Sequence, residues 1–306
     1  MAWVARQSSR SARLLARDGP AIIRGAALCR AGAQNGDYKR AAARLLVDTF
    51  VRDGMVLGLG GGEMCSLCIE EVGQRLASGR LQRVRGVATA NAAATEAAFH
   101  AVPLVSGDDA ATVLVSLAIE QAGQLDVEAS AIIMGVESEP QQPQLLRALF
   151  MAQERAQQLV VLVEEDKVVP RLTGPLPVLI EAEGWEETAE ALDDIVIGDA
   201  EVWRRSAPGT VPDPRGGDCP HVTAEGHNLL DLRYDGGLRL YGEEEPYHQL
   251  EDELLSVPGV VATGLLLGVA AAAVVAQQGS QGPRILTLAV DPMMSTARHQ
   301  QEQRTA

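Results

Sequence analysis

The chain has 306 residues and a formal net charge of −15 at pH 7, with 46% hydrophobic, 22% charged and 3% aromatic residues. This is globular composition, which excludes a wholly disordered chain. The acidic balance, with no basic stripe and few aromatics for base stacking, argues against nucleic acid as a partner. A core so poor in aromatics must be built from Ala, Val, Leu and Ile, which favours a buried parallel sheet covered by Ala-rich helices.

Residues 1–37 depart from the acidic pattern. Arg6, Arg10, Arg13, Arg17, Arg24 and Arg30 lie here with Ser8, Ser9 and Ser11, and Asp18 is the one acid before Asp37. Arg-rich, Ser-containing and acid-poor is the composition of an organelle transit peptide, whereas a secretory signal needs an uninterrupted apolar run. Mitochondrial import is the expectation and plastid import the alternative; a basic arm kept on the surface is the plainer structural reading.

In chain order, residues 38–51 predict an amphipathic helix with Ala42, Leu45, Leu46, Thr49 and Phe50 on one face. Asp53-Gly54 turns the chain into a short apolar strand at 55–60, which runs into Gly60-Gly61-Gly62 and a helix over 63–76. Strand, glycine turn and helix make half of a parallel α/β unit. A strand at 84–88 and an Ala-rich helix at 92–100 follow, then strands at 103–105, 131–134 and 159–163, with a helix over 145–157. Composition shifts after Pro170, where strands are expected at 176–181 and 229–232 and helices at 185–192 and 247–255. Residues 206–220, rich in Pro, Gly and Asp, read as a loop. The chain is expected to rejoin its first sheet at Val260.

The predicted fold class is α/β: a Rossmann-like, mostly parallel sheet domain over 38–170 plus 259–291, a smaller inserted α+β domain over 171–258 acting as a lid, and a polar tail at 292–306. Residues 259–276 carry no charge, a length that meets the threshold for a membrane span. Gly264 and Gly268 divide the run, so strand–turn structure inside the core is expected and no transmembrane segment. Cys29, Cys65, Cys68 and Cys219 are too scattered for a disulfide scaffold. Combining Cys65 and Cys68 with Cys219 and His221 fits no common zinc spacing, so buried core cysteines are expected, with neither a metal nor a cofactor.

Several landmarks in order resemble the type A ribose-5-phosphate isomerase family. They are Lys39-Arg40-Ala41-Ala42, Asp53 to Gly60, Thr89, Val102-Pro103-Leu104 and Val163-Glu164-Glu165-Asp166-Lys167. Gly174-Pro175-Leu176-Pro177-Val178, Gly184-Trp185, Val222-Thr223, Asn228 to Leu232, Pro258 to Val261 and Gly264-Leu265 continue the series. The resemblance implies the family's fold, with the inserted domain ferredoxin-like. It implies an aldose–ketose isomerase reaction through an enediol, which needs a base, oxyanion donors and a phosphate cradle.

Residue by residue, the implied site is eroded. The vestigial phosphate or sugar site is Gly58, Gly60, Gly61, Gly62, Thr89 and Lys167. The family's Thr-Gly-Ser-Thr becomes Gly61-Gly62-Glu63-Met64, and its Thr-Ser-x-x-Thr becomes Thr89-Ala90-Asn91-Ala92-Ala93. The acidic motif Asp-Gly-Ala-Asp-Glu is matched to Met134-Gly135-Val136-Glu137-Ser138, leaving Glu137 as the remaining acid, and the base position falls on Ala148. The family's Lys-Gly loop is missing before Leu145, and Glu164 and Glu165 are candidates for recruitment. The expected protein is therefore a pseudoenzyme serving as a structural or accessory subunit of an organellar complex, with protein partners. An active isomerase of the pentose phosphate pathway and a sugar-phosphate sensor are the alternatives.

Overall fold

The computed structural model describes residues 22–23, 37–106, 108–135, 145–279 and 281–291. The expected tail, most of the expected presequence and Glu137 lie outside the described residues.

The chain opens with β1 (Ile22–Ile23), α1 (Asp37–Phe50), β2 (Val56–Leu59), α2 (Glu63–Ala77), β3 (Arg85–Ala88) and α3 (Asn91–Phe99). Next come α4 (Asp108–Thr112), β4 (Leu117–Gln121), β5 (Gln124–Asp126), β6 (Ala131–Ile133), α5 (Leu145–Phe150), β7 (Leu159–Glu164) and β8 (Val168–Val169). The later elements are β9 (Leu176–Ile180), α6 (Trp185–Ile195), β10 (Ala200–Arg204), β11 (Asn228–Tyr234), α7 (Tyr247–Ser256), β12 (Val260–Thr263), β13 (Leu265–Leu267), β14 (Ala272–Ala276) and β15 (Arg284–Thr287).

The main sheet runs β1-β15-β14-β7-β4-β2-β3. Its five strands from β14 to β3 are parallel, and β15 and β1 add an antiparallel edge. Central strands such as β2 and β7 are buried on both faces, which is why they read as continuous apolar runs. One face carries α1, α2 and α3 over a core that includes Leu46, Leu57, Ile69 and Val160. The opposite face packs Ala148, Leu149 and Val161 together with Leu179 and Leu229 of the inserted domain. In α1 the buried stripe is Ala42, Ala43, Leu46 and Val47, turned toward Val47 from the stripe expected on Leu45 and Thr49.

The inserted domain has the order β10-β11-β9-β12, all antiparallel, with α6 and α7 in a βαββαβ succession. This is the ferredoxin-like arrangement. Two expectations are corrected here. Val260 does not return the chain to the main sheet: β12 pairs with β9, and the return comes at Ala272 in β14. Likewise the strand near 131–134 is not part of the parallel sheet. It joins a third sheet, β13-β6-β5-β8, because β6 hairpins back on β5.

The seam between the inserted domain and the third sheet is a single residue, Gly264. Its N–H donates to the Pro177 carbonyl and its own carbonyl accepts from Met134 N–H, each at 2.7 Å. A Cβ there would stand 2.6 Å from the Met134 oxygen, so only glycine fits. The uncharged run at 259–276 thus forms β12, β13 and β14, and among the described residues no helix is long and apolar enough to cross a membrane. The helix expected over 145–157 is six residues of α-helix followed by a π-helical turn, Met151–Arg155. Residues 103–105 contribute one bridge, Gly86 to Leu104, and no strand.

Candidate functional site

In parallel α/β sheets, ligands sit outside the carboxyl ends of the strands. Here those ends bring together the Gly60–Gly62 turn after β2, Thr89 after β3, Glu120 and Gln121 closing β4, and Glu164 closing β7. Tyr38 and Lys39, in the first turn of α1, face them from above.

The turn is shaped by contact. Gly60 N–H donates to the Ile119 carbonyl at 2.9 Å, and a Cβ on Gly60 would collide with that carbonyl and with the Glu120 carboxyl. Gly62 precedes α2 with φ +102°, the left-handed region that favours glycine. The Met64 N–H of the first helical turn donates to Gln121 Oε1 at 3.0 Å. Gly58 lies beneath, against Met151 and Ala118, so its role is strand packing.

Thr89 is buried, with its hydroxyl 3.1 Å from the Leu59 carbonyl and 2.9 Å from Glu120 Oε1. Glu120 is 1% exposed, and its Oε2 has no hydrogen-bond partner. Burial raises its pKa to about 8, against the opposing pull of the Thr89 hydrogen bond. The Thr89 hydroxyl donates to Oε1, so in the neutral carboxyl the proton belongs on Oε2.

Above the turn, Lys39 is 2.7 Å from Glu63 Oε2 and 3.1 Å from Glu164 Oε1. Tyr38 donates to the other Glu164 oxygen at 2.7 Å. Burial works against the Lys39 ammonium, yet hydrogen bonds to the two carboxylates carry its pKa above the ordinary lysine value. The α2 N-terminus also favours Glu63 through the helix dipole. The Tyr38 pKa is raised, chiefly by burial.

The remaining expected residues fall elsewhere. Lys167 is half exposed in a 3-10 turn, 3.5 Å from Asp166, and makes no ion pair with the cluster among the described residues. Ala148 is buried within α5, its methyl in the core. Glu165 lies 3.9 Å from Arg284, and Glu164 is paired with Lys39. Met134 does not end a parallel strand beside the turn. It follows β6 in the third sheet, so the acidic run expected at Met134–Ser138 is corrected: the strand end facing the glycine turn is Glu120-Gln121, followed by Ala122-Gly123 before β5 begins at Gln124. Gly135 instead offers its carbonyl to Arg205 at 3.0 Å, where Arg205 pairs with Asp231 in a buried bidentate bridge. Cys65 and Cys68 are buried on α2, and burial pushes both thiols up, well away from a reactive thiolate. Among the described residues no cluster of His, Cys, Asp and Glu could hold a metal ion.

Sequence reasoning missed Glu120, Gln121, Tyr38 and the role of Lys39. The signal for the first two was the apolar run Leu117-Ala118-Ile119 ending in Glu-Gln, a buried strand with a polar end.

The family model for ribose 5-phosphate isomerase A (phosphoriboisomerase A) matches residues 85–280. A ribose-5-phosphate isomerase A of Gloeobacter violaceus is 32% identical over 256 residues, covering 83% of this chain and 97% of the relative. The chain belongs to the ribose-5-phosphate isomerase A family. A Synechococcus isomerase A (strain WH7803) is 34% identical over 241 residues, covering 78% of this chain and 90% of its own length. The solved ribose 5-phosphate isomerase A of Methanocaldococcus jannaschii superposes with a TM-score of 0.66 at 26% identity, over 83% of this chain and 100% of that one.

Proposed function

We propose that this chain is a non-catalytic member of the isomerase family, acting as a structural or accessory subunit in an organelle, the mitochondrion in the first instance. The observation that carries the reading is Lys39: its ammonium is engaged by Glu63 and Glu164 at the mouth of the glycine turn, where a substrate phosphate would need a free cation. An incoming phosphate would also meet those two carboxylates.

The chemical groups agree with this. Set against the family's Asp-Gly-Ala-Asp-Glu, the strand end keeps a carboxyl at Glu120 and puts Gly123 at the second acidic position. Glu120 is 1% exposed, with its carboxyl turned to Thr89 and packed against Gly60, so it is sealed from an incoming substrate carbon. The base position on Ala148 holds a methyl group. Loss of a general base alone costs about 10²–10⁴-fold. The organelle assignment is supported by the six arginines of residues 1–36.

The test is an aldose–ketose assay of the purified full chain with ribose 5-phosphate, alongside sizing of the native protein from organelle extracts. The expected result is no turnover above buffer and migration in a large assembly. Turnover within tenfold of an isomerase A relative would end the non-catalytic reading, and a monodisperse small species would end the subunit role.

A further inference from the structure

Fifteen-residue α2 presents its N-terminus to the carboxyl end of β4, with Gly61 and Gly62 buried at the approach. Exposed first-turn amides and the helix dipole make such an end receptive to an oxyanion. Here the space is already taken. Gln121 reaches in from β4, its Oε1 accepts from Met64 N–H at 3.0 Å, and a Cβ on Gly62 would lie 2.6 Å from that same oxygen. The amide is wedged against the turn.

The neighbouring residue supplies a second, independent sign of a ligand place. Glu120 Oε2 is fully buried, presses on Gly60 and has no hydrogen-bond partner. Buried polar atoms without partners are uncommon and costly. A neutral carboxyl there is a donor whose acceptor the chain does not provide, and a phosphate oxygen is such an acceptor.

We propose that Gln121 is a built-in occupant of an anion site formed by the Gly60–Gly62 turn, the α2 N-terminus and Glu120, and that withdrawing its amide opens this site to a small phosphate. The Gln121 carbonyl is neutral, so it satisfies the Met64 amide without adding a second carboxyl next to Glu120 in the chain. This deepens the non-catalytic reading and rests on it: the cradle is kept as architecture and filled from within.

The test uses the full chain, with inorganic phosphate as the probe, by titration calorimetry at pH 7. Gln121→Gly removes the occupant, and Gln121→Glu leaves the site filled with a charged one. Gln121→Gly is expected to bind phosphate at least tenfold more tightly than the wild type, and Gln121→Glu no better than the wild type. Equal binding by wild type and Gln121→Gly overturns the proposal, as does failure of a folded Gln121→Gly to bind, alone or with Glu63→Ala. Should Gln121→Gly fail to fold, Gln121→Asn draws the oxygen back by one bond. Its Met64 amide is then expected to exchange about tenfold faster and to be protected again by phosphate; unchanged exchange overturns the proposal. Isomerase turnover by the wild type would remove the non-catalytic reading yet leave these phosphate outcomes to stand or fall separately.

Discussion

Glu120 gives the protein a definite pH signature. Its pKa rises from an ordinary 4.5 to about 8 because the carboxyl is buried. Between those values the folded chain holds a proton that the unfolded chain releases, so stability falls as pH rises through the window. Below 4.5 both states are protonated and the contribution is whole; above 8 the loss is complete and constant. At about 1.36 kcal/mol per unit, the full loss is on the order of 5 kcal/mol, with about 3 kcal/mol reached by pH 7. Glu120→Gln keeps the shape and cannot ionise. Its stability relative to the wild type is therefore expected to start near zero at pH 4.5 and to grow by that amount toward pH 9. Urea unfolding of both proteins at pH 5, 6, 7, 8 and 9 measures the difference directly, and other titrating groups cancel to first order. A constant offset between the curves, or a wild type that gains on the variant as pH rises, would refute the reasoning.

Three further outcomes are expected. Lys39→Met leaves Glu63 and Glu164 facing each other without their shared cation and should lower stability by about 1–2 kcal/mol, with part recovered by adding Glu63→Gln; urea midpoints measure this, and no change would show that the cluster is only a surface pairing. Asp231→Ala strands the buried Arg205 guanidinium and should cost about 3–5 kcal/mol, whereas a paired Arg205→Met/Asp231→Leu change should recover most of it in thermal unfolding. Gly60→Ala drives a methyl into the Ile119 carbonyl and the Glu120 carboxyl and is expected to cost about 1–3 kcal/mol or more, so a soluble variant with an unchanged melting temperature would contradict the packing described for the turn.

The legible parts of the fold were those where burial and periodicity coincide. β2, β7 and β9 are continuous apolar runs, and α1 and α2 carry apolar residues three and four apart, so pattern and structure agree there. β4 was hidden because Ser116, Glu120 and Gln121 frame a short apolar segment with no turn residue before it. An acid at a strand end ordinarily reads as solvated, and only the closeness of Gly60 shows why this one is not. The Met134–Ser138 run imitated an acidic strand end through its Met-Gly-Val-Glu spacing, which no local signal separates from the true one at Glu120. β12 misled in another way: pairing partners are set by tertiary contact, and Val260–Thr263 would suit either sheet by composition. The α1 site residues were visible as letters, but their meaning came only from the meeting of α1, α2 and β7 around one ammonium.

The Gly264 seam bears on how such a body could respond to anything it binds. A domain that swings over a site needs a few residues free to change their backbone angles. Here β12 passes into β13 across one glycine, and both its peptide groups are spent holding Pro177 and Met134. Rotation about that joint would break two hydrogen bonds and press backbone on backbone before the domain had moved far. The β12–β13 joint is therefore a poor hinge, and any swing of the inserted domain would have to turn about its other connection, residues 170–175 between β8 and β9.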